Sequence, residues 1–154
     1  MKVKEAMKKE VIKVKRSTSL KSLLNLFKDF HTLPLIPVVD ETECIIGVVY
    51  LTNLLDILKT QHTKLLKNVP FAEIDEDIFD LELAPSMGEL ILVDDIMETN
   101  FISLQEETLL EKAYRIMCLR NKEQLPVVSK ENKLLGIIGI FDIVWRMFKE
   151  KGIV

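Results

Sequence analysis

Ile36-Pro37-Val38-Val39-Asp40 runs into the polar turn Glu41-Thr42-Glu43 and then into Ile45-Ile46-Gly47-Val48-Val49-Tyr50. The same order returns as Leu125-Pro126-Val127-Val128-Ser129, the turn Lys130-Glu131-Asn132, and Leu134-Leu135-Gly136-Ile137-Ile138-Gly139. Two apolar runs around a polar turn predict a β-hairpin. The runs are apolar almost throughout, which predicts strands covered on both faces. A hairpin written twice is an internal repeat, and that repeat decides the fold.

The repeat extends outward in both directions. Val3–Met7 (VKEAM) matches Val93–Met97 (VDDIM), 90 residues on. Ile12 then matches Ile102, and Thr18 matches Thr108. Leu20, Leu23, Leu24 and Phe27 match Leu110, Ala113, Tyr114 and Met117, an i, i+3, i+4, i+7 pattern that predicts one face of a helix. After each hairpin, Leu51, Leu54, Leu55 and Leu58 match Ile140, Ile143, Val144 and Met147, predicting a second helix. Short β-branched runs at Val11–Val14 and Phe101–Leu104 predict a first strand in each copy. Thr108 with Glu111 has the form of a capping box, whereas Thr18 is followed by Lys21 at that place.

Each copy thus reads β-α-β-β-α, and the fold class is α/β. A unit of roughly 60 residues buries too little surface to be secure alone, so the copies are expected to pack together about a pseudo-two-fold axis. The expected organisation is a first motif at 1–66, an acidic connecting segment at 67–90 and a second motif at 91–154. A leftover apolar face would favour a homodimer.

Composition narrows the class of function. With 48% hydrophobic and 29% charged residues the chain has globular make-up. Two Cys make neither a disulfide framework nor a Cys-only zinc site, and they fit a reducing cytoplasm. No apolar run reaches the length of a membrane helix, so no membrane partner is expected. The net charge of −3 predicts no affinity for nucleic acid.

That small net charge hides an asymmetry. Lys2, Lys4, Lys8, Lys9, Lys13, Lys15, Arg16 and Lys21 crowd the start, against Glu5 and Glu10. Thirteen acids and no Lys or Arg lie between Asn68 and Glu111. Two readings fit: solvated faces, or a basic end that meets an anion or the acidic middle of the same or another chain. The middle also holds Phe71, Ile74, Ile78, Phe79, Leu81 and Leu83, too apolar for a free linker. It is expected to be an ordered excursion packed on a neighbour, or a helix carried on from Lys59.

The doubled order of strand, helix, Pro-Val-Val strand, turn and Gly-h-h strand (h, apolar) resembles the cystathionine-β-synthase-type (CBS) domain, whose tandem pair is called a Bateman module. The resemblance covers nearly the whole chain apart from the acidic middle. It implies a regulatory pair that binds an adenosyl ligand (AMP, ADP, ATP or S-adenosylmethionine) between the copies and passes ligand state to a partner protein. It implies no catalysis. A ligand-free dimerisation and protein-interaction module is the alternative.

In that family the segment after the Gly reads G-h-h-(T/S)-x-x-D. The hydroxyl and the free N–H groups at the helix start can meet phosphate. The Asp, acceptor-only, can take both ribose hydroxyls. Here the second copy carries Gly139 and Asp142 at those positions, and the first carries Tyr50 and Asn53. Asp142 is thereby the expected ribose contact. Gly139 leaves backbone donors open but brings no hydroxyl. Asn53 would make a weaker contact, or would cap its helix. Tyr50 would narrow the phosphate end or simply pack, and Thr52 could serve as a displaced cap. The resemblance further implies an adenine pocket beside Ile12, Phe101 and Ile102, with Thr99 offering a hydroxyl. Leu35 and Gln124 stand where relatives often carry a base, so a phosphate counter-charge would come from Lys122, His31, Lys8 or Lys9.

Other chemistry is not indicated. There is no Gly-rich phosphate loop. Cys44 falls in a turn, and Cys118 reads as a core position. His31 and His62 read as surface residues. Glu73, Asp75, Glu76 and Asp77 lack the Gly and the final Glu of an EF-hand loop, so no metal is expected. Trp145, with Met147 and Phe148 on the last helix, reads as core or dimer interface.

Overall fold

The structure is a computed structural model and describes residues 1–28, 35–56 and 84–154. A 3₁₀ turn at Val3–Glu5 opens the chain, followed by helix α1 (Leu20–Phe27). Strands β1 (Leu35–Val39) and β2 (Ile45–Tyr50) form the first hairpin, and helix α2 (Leu51–Asp56) follows directly. After the undescribed stretch come the short helices α3 (Met87–Leu90) and α4 (Val93–Ile96) and strand β3 (Leu104–Gln105). Helix α5 (Leu110–Arg120), strands β4 (Gln124–Val128) and β5 (Leu134–Gly139), and helix α6 (Ile140–Glu150) complete the second half.

Both predicted hairpins form, with β1 antiparallel to β2 and β4 antiparallel to β5. Their turns are related in detail. Glu43 and Asn132 both take a left-handed backbone, at φ 68° and 65°. The two tips also pair with each other: Ile45 N–H donates to Asn132 C=O and Leu134 N–H to Glu43 C=O, each at 3.0 Å. The Asn132 carboxamide adds a donor to Ile45 C=O at 3.0 Å.

The first strands are shorter than expected. Val11–Val14 contributes a single parallel bridge, Val14 to Val38, and the partner strand is Leu104–Gln105 rather than Phe101–Leu104. The reason is the path of the chain. Lys8 is bonded both ways to Ile137 in the other half, so residues 9–13 are drawn out between the two halves. At the far end the Thr18 hydroxyl takes Lys15 N–H and turns the chain away.

That use of Thr18 also moves the helix cap. Ser19, not Thr18, caps α1, accepting Ser22 N–H at 3.1 Å. Thr108 makes no capping box either. Leu109 occupies the cap position of α5 without a side-chain bond, and the Thr108 carbonyl accepts from Val3.

The halves exchange their leading segments. Val3 is fully buried in the core of the second half, with Leu104, Leu110, Met117 and Leu125. Val93 is fully buried in the core of the first, with Leu23, Ile36, Val38 and Val49. Backbone bonds fix both insertions: Val3 N–H to Thr108 C=O and Val93 N–H to Thr18 C=O, each 2.8 Å. A third apolar cluster (Leu35, Ile45, Val48, Val128, Ile137) seals the seam between them.

The exchange explains the repeated glycines. Lys8 crosses β5 at Ile137, and a Cβ on Gly136 would overlap the Lys8 carbonyl. Glu98 crosses β2 at Val48, and a Cβ on Gly47 would lie 3.1 Å from the Glu98 carbonyl and 2.7 Å from Met97 Sδ. Glycine is needed at both places because another backbone lies against it.

The basic start of the chain meets acids of the same chain. Lys2 and Lys4 pair with Glu107, Arg16 approaches Asp94 and Lys21 approaches Glu89. These pairs are exposed, so each adds little stability. Several expected inward positions turn outward. Leu24, Tyr114, Leu51, Leu55 and Val144 are exposed, because the sheet of each half covers only part of each helical stripe. Cys118 is exposed as well, one position past the buried Met117. The end of the connecting segment is ordered, with α3 lying against α1. The acids Glu73–Asp77, the apolar residues 71–83 and both His residues lie outside the described residues.

Candidate functional site

Two strand-to-helix junctions, β2–α2 and β5–α6, face a common cleft of about 890 Å³. Lys8 and residues 50–52, 121–124 and 139–142 line it. A volume of this size suits a nucleoside or nucleotide.

At the second junction, Asp142 lies one turn into α6 with its side chain only 11% exposed. Its Oδ2 accepts Gly139 N–H at 2.8 Å, tying the carboxylate to the start of the helix. Its Oδ1 is 3.7 Å from Lys8 Nζ, an electrostatic contact but longer than a hydrogen bond. Gly139 serves packing as well as backbone access: a Cβ there would lie 3.2 Å from Gln124 Cγ and 3.4 Å from Asp142 Oδ2.

The first junction repeats the back-bond with different chemistry. Asn53 Oδ1 accepts Tyr50 N–H at 2.7 Å, so Asn53 rather than Thr52 bonds back ahead of α2. Asn53 Nδ2 donates to Glu98 Oε1 at 3.1 Å. Glu98 is the repeat partner of Lys8, because each follows the matched Met7 and Met97. Neighbour and anchor thus change charge together between the junctions. The ring of Tyr50 carries Lys122 Nζ 4.0 Å from its centroid, a cation–π contact across the cleft. Burial first, and the charge of Glu98 second, push the Tyr50 phenol pKa up.

Of the residues singled out in the sequence, Tyr50, Gly139 and Asp142 line this cleft. Asn53 stands behind it, bonded to Tyr50. Phe101 packs with Tyr50 against the seam, Ile12 against the first core and Ile102 against the second. Thr99 is exposed. Glu98 was not among the residues singled out, although its offset from Lys8 in the repeat marks it. Among the described residues, no group of three or more His, Cys, Asp or Glu side chains converges on a possible metal position. No helix among them is long and apolar enough to cross a membrane.

Comparison with known proteins identifies the family of the fold. The family model for the CBS domain matches residues 3–60 and 93–149. The chain belongs to the CBS-domain family as a tandem pair. Over 142 residues it is 29% identical to the CBS domain-containing protein CBSX1, chloroplastic, of Arabidopsis thaliana, covering 89% of this chain and 59% of that protein. A 62-residue match, 40% identical, links it to a homoserine O-acetyltransferase of Methanococcus vannielii, covering 40% of this chain and 13% of that enzyme. The chain therefore spans less than two thirds of either relative. The crystal structure of CBSX2 in complex with AMP superposes with a TM-score of 0.71 at 25% identity, covering 97% of this chain and 98% of that one.

Proposed function

We propose that this CBS pair is a regulatory module that senses an adenosyl ligand and passes the ligand state to a partner protein. AMP, ADP, ATP and S-adenosylmethionine are the candidate ligands. The observation that carries this reading is Asp142: a largely buried carboxylate, anchored through one oxygen, that lines an open cleft at the start of a helix. An acceptor-only group so placed suits the vicinal hydroxyls of a ribose. The likeness to CBSX2 in complex with AMP supports the same class of ligand. We read the three segments 1–66, 67–90 and 91–154 as first motif, connection and second motif, and place the protein in the cytoplasm. It is proposed to regulate rather than catalyse.

The rival reading, a ligand-free interaction module, has its own support. Phe141, Val144, Trp145 and Phe148 form an exposed apolar stripe along α6 at i, i+3, i+4, i+7 spacing. We assign that stripe to a homodimer contact, which either reading accommodates.

Thermal unfolding with and without each candidate decides between them. A ligand at a hundred times its Kd should add about 2.7 kcal/mol of stability, roughly 5–10 °C in Tm for a chain of this size. The shift is expected with at least one adenosyl compound and should vanish in Asp142→Ala. A well-folded protein that shifts with none of them is a ligand-free module.

A further inference from the structure

The apolar stripe of α6, Phe141, Val144, Trp145 and Phe148, is exposed within its own chain, so a second molecule is needed to cover it. At about 100° of turn per residue, Lys149 and Lys151 fall on the two sides of that stripe. Neither makes an ion pair among the described residues. Beside Trp145 a hollow of about 390 Å³ opens between the leading segment and α6, with Ala6, Lys8, Phe141 and Lys149 in its wall. The two carboxylates that also border it are already bonded, Glu5 to Lys2 N–H and Asp142 to Gly139 N–H. The face is therefore aromatic in the middle and cationic along both edges.

A homodimer must offer this face a counterpart. Setting α6 directly on α6 about a two-fold axis brings Lys149 and Lys151 against their own copies, and like charges across an interface oppose binding. The counterpart has to be apolar and acidic. The connecting segment of this sequence carries such a run: Phe71, Ile74, Ile78 and Leu81 recur at the spacing of one helix face, with Asp75 and Asp77 on its two sides. No Lys or Arg lies between Asn68 and Glu111 to offset those acids. The described part of the same acidic stretch already meets bases, Glu89 near Lys21 and Asp94 near Arg16.

We infer that two copies of the chain exchange these surfaces: the acidic run 71–82 of one copy lies on the α6 face of the other, and the reverse. Resting on the homodimer reading above, this names what the stripe meets. Apolar anchors at helical spacing seat in an apolar groove, and the charges along its edges select the partner and fix the register.

Trp145 is the one tryptophan of the chain, so its fluorescence reports this face alone. In a dilution series of the full chain, with mass followed by light scattering, its emission should move to shorter wavelength as the dimer forms. Lys149→Glu with Lys151→Glu should weaken dimerisation at least about tenfold, and Asp75→Lys with Asp77→Lys should do the same. An equimolar mixture of the two double variants should return to within roughly threefold of the unaltered chain, because each cationic surface then meets an acidic one. Circular dichroism of each variant before mixing confirms that both are folded. If the chain with Asp75→Lys and Asp77→Lys dimerises like the unaltered one, or the mixture of folded variants stays monomeric, the exchange is overturned and the homodimer stands. An unaltered chain that is monomeric at every concentration overturns the homodimer reading beneath it.

Discussion

The two strand-to-helix junctions are built from one plan and differ in who satisfies the anchor. In the first, Asn53 spends its oxygen on Tyr50 N–H and its amide nitrogen on Glu98. In the second, Asp142 spends one oxygen on Gly139 N–H and leaves the other 3.7 Å from an exposed lysine. The first anchor is complete within the chain, whereas the second keeps acceptor capacity for something else. On the function proposed here, a duplicated frame holds one structural and one ligand-ready copy by differing at three matched positions, Tyr50 and Gly139, Asn53 and Asp142, Glu98 and Lys8.

The largest expected effect tests the frame. Gly136→Ala drives a methyl into the Lys8 carbonyl, where only backbone can yield, and should cost about 3 kcal/mol, read as a Tm loss of roughly 10 °C. Gly47→Ala meets the flexible Met97 side chain first and should cost about half as much. Equal losses would mean that the two crossings are not held differently.

Next comes the anchor itself. Asn53→Asp places a carboxylate against Glu98 and should destabilise by about 1–2 kcal/mol in a denaturant titration. Adding Glu98→Lys should restore the loss by recreating the arrangement of Asp142 and Lys8. On the function proposed here, calorimetry should find one adenosyl site per unaltered chain and two in the double variant. A stoichiometry that stays at one would assign the difference to Tyr50 and Lys122, which occupy the cleft on the first side.

The hairpin tips give a smaller contrast. Asn132→Ala loses a residue suited to a left-handed backbone and the bond to Ile45 C=O, and should cost about 1–2 kcal/mol. Glu43→Asn, at the matching left-handed position, should be neutral or stabilising by a few tenths of a kcal/mol, as backbone relief offsets the loss of the exposed pairing with Lys13.

The smallest effect is in acid. Hydrogen bonds from Lys2 and Lys4 hold the Glu107 pKa down to about 2 from an ordinary 4.5. A depressed folded-state carboxyl contributes above its unfolded pKa and loses that contribution as pH falls through the folded one. Stability should therefore decline between about pH 4.5 and pH 2, with a slope slightly shallower in Glu107→Gln and in high salt.

The hairpins, helices and pseudo-symmetry were legible because period and turn chemistry are local. So was Asp142, through the resemblance of Gly136–Asp142 to the family's G-h-h-(T/S)-x-x-D pattern. The caps were harder: Thr18 and Thr108 carry suitable side chains, yet Thr18 is drawn into a turn with Lys15 and the Thr108 backbone receives the other half's Val3. The meaning of Gly47 and Gly136 was hidden because the backbones against them come from about 50 to 130 residues away.

The exchanged leading segments also constrain how the chain comes to be folded. Val3 reaches its bonding partner only once Thr108 exists, and Lys8 only once Ile137 does. During synthesis Val3 and Lys8 are made well before the partners that seat them, and the first half waits with a gap where Val93 belongs. Contacts this distant in sequence close slowly. Until they close, each nascent half exposes apolar surface fitted to a segment of this same sequence, which a neighbouring copy could also supply. Domain-swapped dimers are thus the natural error of this architecture, and refolding at high protein concentration is where they should accumulate.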